Sequence, residues 1–117
     1  MSWKSIADLL ADARHAPVAL LGAPMEAGSV TPGRCDLAPA AVRSAMKRIS
    51  TYDLVEALEL ESPVHDAGDV AVQGMMPADG FALLRDAVAA CAARHALTLV
   101  IGGNNAVTRP AAHGLGA

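Results

Sequence analysis

A chain of 117 residues that is 53% hydrophobic, with a mean hydropathy of +0.34, has enough apolar material to fill the core of one domain. Nine Lys plus Arg against twelve Asp plus Glu leave a formal charge of −3, which excludes a basic face able to neutralise the phosphates of a nucleic acid. The longest apolar run, around Val18 to Gly22, is far too short to span a bilayer, and no secretory segment opens the chain, so composition points to a soluble, cytoplasmic protein without nucleic acid or membrane as partner.

Trp3, Tyr52 and Phe81 are the only aromatic residues, so the core must be built from Ala, Val, Leu, Ile and Met, as suits helices packed closely on a parallel sheet. Cys35 and Cys91 lack a Cys-x-x-Cys spacing and read as an incidental loop thiol and a buried helix thiol in a reducing compartment.

In chain order, Ser2 can cap a first helix from about Trp3 to Arg14, with Trp3, Ile6, Leu9 and Leu10 on one face. Pro17 ends that pattern. Val18 to Leu21 is apolar at every position, the mark of a parallel strand covered on both faces. Ala23 to Leu37 is a long irregular segment with Pro24, Gly28, Pro32 and Gly33 and with Glu26, Ser29, Thr31, Arg34 and Asp36 as polar content. A loop of this length is more often functional or mobile than idle. Following the first strand, it should lie beside the turn at Asn104 and Asn105. It serves either as a wall of a substrate pocket, with Ser29 and Arg34 among its polar groups, or as a surface that packs on a neighbouring subunit.

Pro39 suits the first position of a helix running to about Arg48. Arg43 on this helix could bind a substrate carboxylate, but a salt bridge with Asp36 or a solvated position is the simpler expectation. Tyr52 to Leu60 mixes charge and leucine and fits a short helix or a strand. Val64 to Val72 reads as the second strand. His65, Asp66 and Asp69 invite a metal reading, but alternate strand residues point to opposite faces, and Asp66 and Asp69 more simply hold backbone N–H groups around Gly68.

Gln73 to Ala78 is a turn ended by Pro77, and a long amphipathic helix follows from about Asp79 to His95. Phe81, Leu84, Val88 and Cys91 form its apolar stripe, with His95 as a favourable C-terminal charge. Leu97 to Ile101 is the third buried strand. It delivers Gly102, Gly103, Asn104 and Asn105 to a helix start, the place where open α/β sheets bind ligands. His113, late in that last helix, reads as incidental. Gly102-Gly103 is not a phosphate-binding loop, and no Gly-x-Gly-x-x-Gly follows a strand.

Four segments, taken together, resemble the ureohydrolase superfamily of arginases, agmatinases and formiminoglutamases. Val18 to Pro24 is similar to its first strand and Gly-x-Pro turn, and Pro32-Gly33 through Arg43 to its entry into the first helix. Asp66-Ala67-Gly68-Asp69 matches its Asp-x-Gly-Asp segment, and Ile101 to Pro110 its first metal-site segment. The resemblance implies a three-layer α-β-α fold with a mainly parallel sheet, of which residues 1–117 form a single α/β unit carrying the first three strands. It also implies hydrolysis of a guanidino or formimino C–N bond by hydroxide held between two Mn²⁺ ions.

Two departures stand out. Asn105 occupies the position of a family His ligand and Asn104 that of an Asp, and the later Asp-rich ligand segments are missing. Asn105 therefore offers at most a neutral amide oxygen to a metal, and Asn104, Asn105, Ser29 and Arg34 are the candidate pocket residues. The expectation is the N-terminal portion of a hydrolase that is inactive alone. The alternative is a non-catalytic subunit that pairs with itself or with a partner chain completing the sheet, because three strands leave an open edge.

Overall fold

The computed structural model describes residues 3–116, so the proposed Ser2 cap lies outside the described residues. Among the described residues six strands and three α-helices follow one another: β1 (Leu10–Ala11), β2 (Val18–Ala23), α1 (Ala38–Met46), β3 (Tyr52–Asp53), β4 (Leu58–Glu59), β5 (Val64–Asp69), α2 (Pro77–Ala92), β6 (Leu97–Gly102) and α3 (Thr108–Gly114). Parallel pairing gives one sheet in the order β1-β5-β2-β6, and β3 and β4 form a separate antiparallel hairpin. The α/β architecture with a mainly parallel sheet is the one expected.

β2 is the central strand because its sequence tolerates burial on both faces. Ala19, Leu21 and Ala23 pack with Leu84, Val88 and Cys91 of α2, and Val107 and Ala111 close the same cluster. On the other face Gly22 lies against Pro39 at the start of α1 and against Asp69. The two helical layers thus sit on opposite sides of β2, as right-handed crossovers first to β5 and then back to β6 require.

The sequence expectation fails for the first helix. Residues 6–9 make only a 3₁₀ turn, in which Asp8 accepts the Ser5 N–H at 2.9 Å. Leu10–Ala11 then pairs with Val64 and His65 at the sheet edge. Backbone groups that a longer helix would have used are taken by the chain at 49–51: the Ile6 N–H donates to Ile49 O and the Thr51 N–H to Lys4 O. Tertiary pairing outweighs a marginal helical pattern in a short segment. The same 49–51 contact anchors the β3–β4 hairpin, which resolves the ambiguous Tyr52 to Leu60 segment as strand.

Two further boundaries move. Pro77 opens α2 rather than closing the turn before it, in keeping with its missing N–H at the first helical position. α2 ends at Ala92, and His95 is not an exposed helix-end charge. It is 7% exposed, its Nδ1 lies 2.6 Å from Ala16 O, and its ring stacks on His65 with centroids 5.2 Å apart.

β6 is also less covered than the buried strand expected from its sequence. It forms a sheet edge, with Leu97 52% and Leu99 44% exposed on the face away from α2. Among the described residues no helix is long and apolar enough to cross a membrane.

Both cysteines are free, and burial pushes the Cys91 thiol up while Cys35 stands half-buried in the loop after β2. Native-state titration with a thiol reagent should therefore modify Cys35 quickly and Cys91 only on unfolding. Two equally fast thiols would mean that the α2 face opens readily.

Candidate functional site

β2 and β6 are neighbours whose outgoing connections leave for opposite faces of the sheet, β2 toward α1 and β6 toward α3, which packs on the α2 side. Their carboxyl ends therefore form a topological switch point, where the two departing loops cannot fill the space between them. A cleft of about 440 Å³ lies there, lined by Gly28–Gly33, Cys35 and the turn Asn104–Ala106. The long loop after β2 and the Asn-Asn turn thus meet, as their order along the chain anticipates.

The turn is held by main-chain bonds that prolong the sheet. Gly103 N–H donates to Ala23 O at 3.2 Å and Asn104 N–H to Met25 O at 2.9 Å. Gly103 is confined, because a Cβ at this position would overlap the Met25 carbonyl oxygen and stand 2.9 Å from Cys35 O. Only glycine lets the two backbones approach so closely.

Asn104 caps the following turn through its Oδ1, which accepts the Ala106 N–H at 3.1 Å. Its Nδ2 donates to Glu26 O, Ala27 O and Ser29 Oγ, each at 3.2 Å. Asn105 is exposed at the cleft. Ser29 lines it too, with its hydroxyl donating to Glu26 O at 2.7 Å.

Arg34 lies beside the cleft, and its guanidinium is committed to Asp36 through two bonds of 2.9 Å. Asp36 also accepts from Gln73 Nε2 at 2.8 Å. The sequence reading named Asp36 only as polar loop content and as a partner for Arg43, because an acid in a Gly- and Pro-rich loop reads as surface; its burial, at 6% exposed, and its pairing with Arg34 were not anticipated. The Arg34 hydrogen bonds, followed by that from Gln73, hold its carboxyl down at about 2 from an ordinary 3.8. A depressed carboxyl contributes stability that is complete above 3.8 and is lost as pH falls through about 2. Carboxyl-carbon NMR should find Asp36 titrating near that lower value, and Arg34→Gln should move it upward; an unmoved titration would discount the pair.

Arg43 does not reach Asp36, contrary to the simplest expectation. It donates to Asp69 at 2.5 Å, to Asp66 at 3.0 Å and to Gly68 O at 3.2 Å. Residues three apart on a regular strand face opposite ways, but β5 carries a register shift where Leu20 pairs with Asp66 and Gly22 with Asp69. Gly68, with φ +75°, supplies that shift, and Asp66 Oδ1 accepts the Gly68 N–H at 2.9 Å. Both carboxylates thereby face Arg43. The acids of this segment form a structural clamp between β5 and α1, and His65 points elsewhere, toward Cys91 and His95.

Whether the cleft suits a metal ion depends on its donors. Its lining contains no carboxylate and no imidazole, Asn104 is fully engaged, and Asn105 offers a neutral amide. Among the described residues no three His, Cys, Asp or Glu side chains converge so as to hold an ion. The residues present do not fit a Mn²⁺ ion by themselves.

A family model described as the arginase family matches residues 16–117. Two solved structures share the fold: formimidoylglutamase from Bacillus subtilis subsp. subtilis str. 168, with a TM-score of 0.84 at 21% identity, and agmatine ureohydrolase of Thermoplasma volcanium, with a TM-score of 0.82 at 22% identity. Each alignment takes in 98% of this chain but only 40% and 39%, respectively, of the other. No match to a curated protein was found at the level of sequence.

Proposed function

This chain belongs to the arginase family, and on that premise we propose that it is the N-terminal part of a C–N hydrolase acting on a guanidino or formimino group. In this reading residues 1–117 supply the central sheet and one wall of the active cleft and have no turnover alone. The observation that carries it is the cleft at the β2/β6 switch point, built within the stretch that matches the family. The family is generally metal-dependent, and metal-activated hydroxide is the chemistry such an ion would supply. In this reading the ligands for it come from other parts of the hydrolase, because the donor set of this cleft does not fit an ion. A cytoplasmic location belongs to the same reading.

A second reading, a non-catalytic subunit that pairs with itself or with another chain, draws on one feature: β6 is an open, uncharged edge strand with Leu97 and Leu99 exposed. Activity separates the two. The 117-residue chain with Mn²⁺ should release no urea from arginine or agmatine and no formamide from formiminoglutamate. A polypeptide joining this segment to the rest of an arginase-family fold should turn over one of them. Failure of the joined protein on all three substrates, while folded, would favour the non-catalytic reading.

A further inference from the structure

The side chain of Asn104 does more than cap a turn. An amide has two N–H hydrogens, and here they serve three acceptors, two backbone carbonyls and a hydroxyl, all on the loop 26–29. Its oxygen faces the other way, onto the Ala106 N–H. Only this orientation works, because the reverse would aim an oxygen at two carbonyl oxygens and an NH₂ group at an N–H. One residue therefore ties the loop after β2 to the turn after β6 across the mouth of the cleft.

We infer that Asn104 is the positioning residue of the cleft: by donating to Glu26 O, Ala27 O and Ser29 Oγ it holds the 26–29 loop in the conformation that forms the wall, and its amide is thereby withdrawn from ligand and cation alike. Recognition from this turn falls to the exposed Asn105. Apart from the main-chain bond of Asn104 N–H to Met25 O at 2.9 Å, which holds the residue before it, the 26–29 loop is tied to the turn by this side chain, and its remaining bonds are internal to the segment after β2. Ser29 N–H donates to Glu26 O within the loop itself, and the Cys35 thiol makes only a 3.7 Å contact with Met25 O. The inference goes beyond the hydrolase reading and stands on these hydrogen bonds alone.

Two variants separate donation from mere shape. Asn104→Asp keeps the size and the oxygen that accepts the Ala106 N–H, but sets a carboxylate against the carbonyls of Glu26 and Ala27. Asn104→Ala removes both functions. Amide hydrogen exchange of the 117-residue chain reads each end of the side chain separately.

In Asn104→Asp the Ser29 amide should exchange about 10-fold faster or more, while Ala106 keeps its protection. In Asn104→Ala both should lose protection, with β2 and α2 unchanged in each variant. If Asp preserves the exchange rate at Ser29, the residue is a spacer and the inference is overturned. Inactivity of a joined hydrolase would leave these exchange rates as they are, so the two readings fail separately.

Discussion

Replacing Gly103 by alanine should cost about 3 kcal/mol of folding stability, the upper part of the range for forced overpacking. The added Cβ would overlap the Met25 carbonyl oxygen and crowd Cys35 O at 2.9 Å. Both obstacles are backbone, so no side chain can rotate away, and either the turn or the loop after β2 must shift. The shift would also strain the Asn104 N–H bond to Met25 O, one residue on. Thermal unfolding of Gly103→Ala against the parent chain checks this, with an expected fall in midpoint of about 10 °C or more. A change below about 0.5 kcal/mol, the level of ordinary surface substitutions, would show that the two backbones separate freely and that the cleft is not rigidly framed.

Removing the Arg43 side chain should rank next, at about 2 kcal/mol. Its side chain is 21% exposed, and the guanidinium sits between Asp66 and Asp69, whose side chains are 29% and 42% exposed. The pair is therefore partly screened, and the loss should fall short of that for a fully buried ion pair. Arg43→Ala leaves two carboxylates on one side of β5 without their counter-charge, and it frees the Gly68 carbonyl as well. The companion change Asp69→Asn should recover part of the loss, which a double-mutant cycle measures directly. An Arg43→Ala protein as stable as the parent would mean that solvent already carries these charges.

Arg43 also shows what the sequence could and could not disclose. Its position on a helix after Pro39 was legible, and so was the hydrogen bonding of Asp66 around Gly68. The partner was not. Strand alternation places Asp66 and Asp69 on opposite faces, and the bulge at Gly68 that reverses this depends on pairing with β2, which no local pattern records.

The central elements were readable because β2, α2 and β6 carry strong periodicity or unbroken apolar runs. The first helix was misjudged because its fate is set by contacts at 49–51 and by the β5 edge. For the cleft, the two chain segments could be placed together from topology, whereas the bonding of Asn104 and the burial of Asp36 could not. Those depend on how a Gly- and Pro-rich loop folds back on itself, and such a loop has no period to read.

On the proposed reading, the open edge and the metal-poor cleft describe one object, a part of an arginase-family domain that brings framework and wall but not the ion ligands. It spans about 40% of the solved relatives it matches, and β6 has an unpaired side where further sheet can add.

Native mass spectrometry of the 117-residue chain, with and without Mn²⁺, tests that description most directly because it reports assembly and metal together. The account predicts that the chain, alone or paired with itself, retains no stoichiometric Mn²⁺. A chain by itself that keeps one or more Mn²⁺ ions at a fixed ratio would contradict it, and would show that these residues build a metal site of their own.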